Sequence, residues 1–332
     1  MKHFLGIEST AHTLGVSVVS FDSLKGRPSP ENTRVKSNEL AKFPSTGKGY
    51  IPRELADHHA KNFQGVLESA LRKASVQARE LSAVAYSQGP GIGHCLHVGY
   101  VAAKTISEEL GVPLVPVNHA VAHVEAARFL TSARDPLVVY VSGGNTQIFA
   151  RAGKHYHVYG ETMDIGLGNF LDNVGRMLEL DPPDAVGVMK EALRGKNFVE
   201  LPYTIKGMNL AFAGILTAIQ RLKSLSIPDL CWSAQETVFS MLVEATERCL
   251  CHTRNPEVLL CGGNARNKRL QEMLALMSSE QGTRFCVAAD EFNGDNAAMI
   301  ALTGLLMSEY GAFPRTEKPM QRMRVEKQEI LW

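Results

Sequence analysis

An α/β fold of two lobes is predicted by three observations in this chain. Three times an apolar, strand-like run breaks into a turn of small and polar residues: FLGIESTAHTLGVSVV at 4–19, PLVVYVSGGNTQIFA at 136–150 and VLLCGGNARNKRL at 258–270. Short strands alternate with helical patterns, with glycines at the strand ends. The length, 332 residues, exceeds the usual size of one core. Two glycine-glycine-asparagine turns about 120 residues apart predict two related lobes closing on one phosphate-bearing ligand, since glycine lets backbone N–H groups approach an anion.

Along the chain, Pro52 opens a helix whose apolar face carries Leu55, Phe63, Val66, Leu67, Ala70 and Leu71. The strand AVAYSQ (83–88) runs through a glycine-rich turn into a helix ending near Gly111, and VPLVPV (112–117) leads into the helix NHAVAHVEAARFL (118–130). Residues 161–200 mix helical patterns with Gly, Pro and Asp, as loops around a cleft do, and 209–223 and 233–252 read as longer helices. The strand RFCVAA (284–289) meets the turn DEFNGDNAAM and a helix packed through Ala297, Ala298, Ala301 and Gly304. No linker interrupts this order, so the lobes are expected to interweave, as 1–125 plus 296–332 and 126–295.

Composition narrows the class. A 45% hydrophobic and 21% charged chain is an ordinary globular protein, not a disordered one. No apolar stretch reaches the roughly 18 to 20 residues that span a bilayer, and the N-terminus, with Glu8 and His12, is unlike a signal peptide. The six cysteines lack CxxC spacing and sit mostly in apolar runs, which predicts reduced core thiols and a cytoplasmic protein. A net charge of +1 gives no global nucleic-acid footprint. The end of the chain is locally basic, with Arg315, Lys318, Arg322, Arg324 and Lys327, and reads either as a phosphate-facing patch or as a solvated tail.

Two constellations carry chemistry. His119 and His123 stand at i and i+4, one above the other on a helix, where both imidazoles can reach one ion, although such a pair taken alone reads first as surface or capping histidines. Asp295 could add a carboxylate, or cap the helix it precedes. A metalloprotease would need a glutamate beside the first histidine; Ala120 stands there, and the next carboxylate is Glu125. Ser142, Gly143, Gly144 and Asn145 offer donors to phosphate oxygens. Asp172 could accept from a ribose diol or face solvent, and Asn267 could read an adenine edge or cap a helix. The chain has neither a Walker A loop nor GxGxxG after its first strand, so P-loop and Rossmann readings lose support.

The ordered motifs GIESTAHTLGV, PRELADHH, SQGPGIGHCLHVG, VNHAVAHVEA, VYVSGGNTQ, DIGLGNFLDN, CGGNARNKRL and GDNAAMIA resemble the universal tRNA threonylcarbamoyladenosine synthase family over nearly the whole chain. These TsaD-like proteins were once labelled sialoglycoprotein endopeptidases, and VYVSGGNTQ is similar to their archaeal and eukaryotic branch. The resemblance implies an actin-like, sugar-kinase-like (ASKHA) fold around a nucleotide- and metal-binding cleft. It implies one metal, iron(II) before zinc, on His119, His123, Asp295 and the phenol of Tyr140. It also implies ATP, AMP or threonylcarbamoyl-AMP contacts from Tyr140, Val141, Ser142, Gly143, Gly144, Asn145, Asp172 and Asn267, with Glu8 and Gly263 as further candidates.

The activity implied is transfer of threonylcarbamoyl from its adenylate to N6 of the adenine 3′ to the anticodon of ANN-decoding tRNAs. Partners implied are tRNA and the small kinase and accessory subunits of the KEOPS complex, with no membrane. The AVAHVEAARF surface is a candidate docking face for them, its apolar positions reading equally as core. Ala185 and Met189 depart from the family pattern, standing where glycine and glutamate are usual in the ribose-binding loop. The alternatives are an actin-like ATP-binding module without transferase activity, and a metallopeptidase.

Overall fold

The structure is a computed structural model and describes residues 1–44, 50–314 and 316–332. Two units emerge: Met1–Ser132 with Ala152–Tyr156 and Asp295–Trp332, and Ala133–Arg151 with His157–Gly294.

In chain order the elements that build the first unit are β1 (Lys2–Glu8), β2 (Thr13–Phe21), β3 (Thr33–Lys42), α1 (Pro52–Ala74), β4 (Leu81–Gly89), α2 (Gly93–Leu110), β5 (Leu114–Asn118) and α3 (His119–Thr131). The second unit follows with β6 (Pro136–Val141), β7 (Thr146–Ala152), β8 (His155–Glu161), α4 (Leu167–Met177), α5 (Ala185–Ala192), β9 (Ile205–Lys206), β10 (Asn209–Leu210), α6 (Ala213–Arg221), α7 (Ile227–Thr253), β11 (Glu257–Cys261), α8 (Lys268–Glu280), β12 (Arg284–Val287) and α9 (Asp290–Asn293). The chain then returns to the first unit as α10 (Ala297–Tyr310).

The first sheet runs β3-β2-β1-β4-β5, with β1 antiparallel to β2 and parallel to β4, and β4 parallel to β5. β1, β2, β4 and β5 are covered on both faces, which is why they read as nearly continuous apolar runs, while the edge strand β3 is largely polar and partly exposed. Alternation still sorts the side chains: Leu5, Ile7, Val84 and Tyr86 pack toward α1 and α2, while Phe4, Ala83 and Ala85 pack toward α3 and α10. The small residues of α10 allow a close approach to the sheet. A Cβ on Gly6 would lie 2.5 Å from Ala297 O and from Ala301 N, and one on Gly304 would lie 2.4 Å from the Ala85 Cβ. The expected packing through Ala297, Ala301 and Gly304 is therefore present.

The second sheet, β12-β11-β6-β7-β8, repeats this order, with β6 antiparallel to β7 and parallel to β11, and β11 parallel to β12. Two related lobes are thus found, but the two glycine-glycine-asparagine turns are not their counterparts. Both turns close neighbouring parallel strands, β6 and β11, of the second unit. By position in the repeat, the turn after β6 corresponds to the Glu8–Thr13 turn after β1, and the turn after β11 to the Gly89–Gly91 turn after β4. The turns look alike because both follow neighbouring parallel strands at the same end of the sheet.

Beyond α10 the basic segment is not a solvated tail. Residues 316–332 form a strap laid on the first unit, with Val325, Gln328 and Ile330 buried. The Tyr86 hydroxyl donates to Glu317 O, Gln88 Nε2 to Thr316 O and Lys318 O at 2.7 and 3.0 Å, and Met320 N to Gln88 O at 2.8 Å. Asn118 Nδ2 donates to Arg324 O, and Trp332 Nε1 to Glu125 Oε2 at 2.7 Å. Arg315, counted in the basic segment, lies outside the described residues. The six cysteines are free thiols. No helix among the described residues is long and apolar enough to cross a membrane.

Two predictions follow from this packing. Gly89 has φ +154°, and a methyl group there would lie 1.8 Å from Met320 O. Gly89→Ala should cost more than about 2 kcal/mol and expose the strap to protease, as urea unfolding and limited proteolysis would show. His59 on α1 is buried, and burial, aided by His58 and His12, pushes its imidazole down to about 4. The unfolded chain therefore binds this proton more readily, and stability should fall as pH drops from about 6.5 to about 4. Unfolding midpoints across that window should fall less steeply for His59→Asn than for the parent.

Candidate metal and nucleotide sites

The metal constellation assembles inside the first unit. Asn118 ends β5 and caps α3, its Oδ1 accepting from Ala120 N at 3.0 Å and Val121 N at 3.2 Å. This cap sets His119 and His123 on the first turns of α3, their rings 4.7 Å apart. Asp295 enters just before α10, while Asn296 caps that helix by accepting from Met299 N at 3.1 Å. Capping by Asn296 leaves the Asp295 carboxylate for the histidines: its Oδ1 lies 3.5 Å from His119 Nε2 and 3.3 Å from His123 Nε2. One ligand atom from each of the three residues falls within 4.8 Å of the others.

Glu8 orients this group. It is wholly buried at the end of β1, where Oε1 accepts from Thr10 N at 2.7 Å and from the Thr10 hydroxyl. Its Oε2 accepts from His119 Nδ1 at 3.0 Å, which turns Nε2 toward Asp295. Burial pulls His119 down, but the Glu8 carboxylate outweighs it and raises the imidazole to about 9. Burial, with His119 beside it, lowers His123. The Asp295 carboxyl is held well below its usual range: burial raises it, and the His123 hydrogen bond and both imidazoles more than reverse that. Two imidazole Nε2 atoms and a carboxylate oxygen, converging in a buried place with the second ring nitrogen of His119 anchored, fit a divalent transition metal.

Glu125, the only carboxylate α3 offers a protease mechanism, is committed elsewhere. It is buried and accepts from Arg128 Nη1 at 2.6 Å, from the Tyr156 hydroxyl and from Trp332 Nε1. Residues 119–127 of α3 are buried throughout, so the AVAHVEAARF surface is core rather than a docking face.

The nucleotide candidates occupy the second unit. Ser142–Asn145 forms the β6–β7 turn, closed by Ser142 N to Asn145 O at 2.8 Å and by Asn145 N to Ser142 Oγ at 3.1 Å. Gly143, Gly144 and Asn145 are exposed, whereas Val141 and Tyr140 are buried in β6. The neighbouring turn is pinned to this one: Asn264 Nδ2 donates to Ser142 O at 3.2 Å. The start of α4 packs on it as well, with Asn169 N donating to Gly143 O at 2.8 Å. Gly263 is exposed, with open space where a Cβ would project. Asn264, absent from the expected contacts, is what joins the two turns; the repeated GGN was its only signal in the sequence.

Asp172 Oδ1 accepts from Ala185 N at 2.9 Å, so this carboxylate holds the start of α5. Asn267 is buried and caps α8, its Oδ1 accepting from Leu270 N while Nδ2 donates to Gln235 Oε1, both at 3.2 Å. The capping role of Asn267 is thus visible directly. Ala185 and Met189 lie on α5, whose start is capped by Asp184 accepting from Val186 N at 2.8 Å.

Comparisons with known proteins bear on the whole chain. The family model described as "TsaD: tRNA N6-adenosine threonylcarbamoyltransferase" matches residues 33–302. A Staphylothermus marinus protein named tRNA N6-adenosine threonylcarbamoyltransferase is 43% identical over 99% of both chains. An Archaeoglobus fulgidus protein of the same name is 44% identical, again over 99% of each. A Methanocaldococcus jannaschii "probable bifunctional tRNA threonylcarbamoyladenosine biosynthesis protein" is 42% identical over 99% of this chain and 60% of its own length. Among solved structures, Thermococcus kodakarensis HypF aligns with a TM-score of 0.64 at 13% identity, over 93% of this chain and 48% of that one. An Acidaminococcus fermentans 2-hydroxyglutaryl-CoA dehydratase component A aligns at 0.54 and 14%, over 92% of this chain and 98% of that one. These likenesses carry the fold, which is of the actin-like, sugar-kinase-like type.

Glu8→Gln should preserve the shape of the site and remove the charge that orients His119. Divalent cobalt or zinc, titrated into the metal-free full chain, should then bind about 10- to 100-fold more weakly. Parent-like affinity would show that packing alone sets the ring.

Proposed function

This chain belongs to the tRNA N6-adenosine threonylcarbamoyltransferase family, and on that premise we propose that it moves threonylcarbamoyl from threonylcarbamoyl-AMP to a tRNA adenosine. The target is N6 of the adenosine 3′ to the anticodon in ANN-decoding tRNAs. The observation that carries this reading is the convergence of buried His119 and His123 with half-buried Asp295 in a chain that matches the family nearly end to end.

The exocyclic amine of adenine is a weak nucleophile because its lone pair is delocalised into the ring. An activated acyl donor is therefore required, and a carbamoyl-phosphate mixed anhydride supplies it. The new bond joins N6 to the carbamoyl carbon; the bond from that carbon to the phosphate oxygen breaks, AMP leaves with the electron pair, and N6 gives up a proton. His119, His123 and Asp295 would hold the metal, with Tyr140 as a further ligand, and iron(II) is proposed ahead of zinc. When bound, it supplies Lewis acidity toward a carbamoyl or phosphoryl oxygen. Glu8 keeps His119 in the orientation this requires. The N–H groups of the exposed Gly143 and Gly144 and the Asn145 side chain, with Gly263 beside them, are proposed to hold the phosphate and the charge on departing AMP. Asp172 and Asn267, which fix the starts of α5 and α8, are proposed to meet the nucleoside. The enzyme is proposed to act in the cytoplasm with the kinase and accessory subunits of the KEOPS complex.

The test supplies synthetic threonylcarbamoyl-AMP and unmodified ANN-decoding tRNA to the full chain, with and without those subunits, and reads nucleosides by mass spectrometry. Modified adenosine is expected from the parent, with at least a ~100-fold loss in His119→Ala, the scale of electrostatic stabilisation by one group. No product with every partner present would retire the transferase reading in favour of a nucleotide-binding module.

A further inference from the structure

Between the end of α10 and the strap lies a cavity of about 750 Å³, lined by residues of the first unit and by none of the metal-site residues. Its wall carries Arg322, Arg324, Lys327 and His155, with Glu329 as the only carboxylate among the described residues that line it. Arg324 is paired to Glu326 at 2.8 Å, whereas Arg322 and Lys327 are exposed and make no ion pair among the described residues. Phe313, 51% exposed, and Met320, 39% exposed, line the same space. A half-exposed phenyl ring beside unpaired cations suits a nucleic-acid strand, whose bases stack on aromatic faces while its phosphates meet the charges. The volume lies within the ~300–1,000 Å³ of typical small-molecule clefts, enough for a nucleotide unit. The walls are already fixed by the strap's bonds to Tyr86, Gln88 and Asn118, so binding need not order them.

We propose that this pocket binds a single-stranded nucleotide of the RNA substrate, distinct from the adenosine that reacts. A backbone phosphate meets Arg322 and Lys327, and a base lies against Phe313. The identity of the RNA rests on the transferase reading; the chemistry of the pocket does not. Apolar contact and charge on one wall distinguish it from a patch that merely attracts polyanions.

Two full-chain variants test it: the charge reversal Arg322→Glu with Lys327→Glu, and Phe313→Ala. Anisotropy would follow binding of unmodified tRNA, a short single-stranded RNA and a duplex DNA of equal charge across a salt series, beside the mass-spectrometric transfer assay. Charge reversal should weaken tRNA binding at least ~10-fold and reduce the slope of log K against log salt by about 1 to 2. Phe313→Ala should weaken the single-stranded RNA by roughly 5- to 100-fold while leaving the duplex unchanged. Transfer by the variants should show a raised KM for tRNA at nearly parental kcat. If RNA affinity and salt slope are parental in both variants while the parent makes product, the pocket proposal falls and the transferase reading stands; the same result would follow if a protein occupied the pocket instead. Equal losses for RNA and duplex DNA would also overturn it. Selective RNA loss in the variants of a chain that makes no product would sustain the pocket and remove the transferase reading.

Discussion

A carboxylate sealed from water must be met by donors or lose its charge, and Glu8 is met by three: the amide and hydroxyl of Thr10 and the ring of His119. That requirement ties the first turn of the chain to the first turn of α3, 111 residues later. It also orders the rest of the first unit. β1 must sit near β5 for the contact to exist, and the order β1-β4-β5 leaves only β4 between them. α10 must then approach β1 closely enough to deliver Asp295, which Gly6, Ala297 and Ala301 permit by carrying almost no side chain between them. The site and the core of the first unit are two aspects of one packing problem.

Much of this was legible in the residues. The i, i+4 histidines follow from helical geometry, and the α/β class from apolar runs ending at glycines. Asp295 was visible too, with metal ligation and capping both open; the neighbouring Asn296 takes the cap. Other features were hidden for physical reasons. The role of Glu8 depends on a contact between residues far apart in sequence, which no local period reports. The glycine-glycine-asparagine turns were readable as turns, but their similarity comes from ending adjacent parallel strands, not from occupying the same place in two lobes. Only strand order separates those cases.

The strap and α3 show opposite failures of composition. Residues 316–332 hold one short 3-10 turn and many charges, so a solvated tail was one of their two readings, yet backbone bonds to β4 and a few buried side chains lay them down firmly. Conversely, α3 presents alanines and valines that suit a docking face, and all of residues 119–127 are buried. Hydrophobicity states how much apolar surface an element has, while topology decides what covers it.

The first unit takes its pieces from both ends of the chain: Met1–Ser132 carries both histidines, but Asp295 and α10 arrive only after the second unit has been laid down. A chain emerging from the ribosome therefore exposes the α3 and α10 face of its first sheet until the last stretch appears, with the second unit free to fold in the interval. The cost of that delay is an uncovered apolar surface; the benefit is timing. The three-residue group cannot close before α10 is reached, so the place where a metal could bind is completed only in a chain that has been read through to α10.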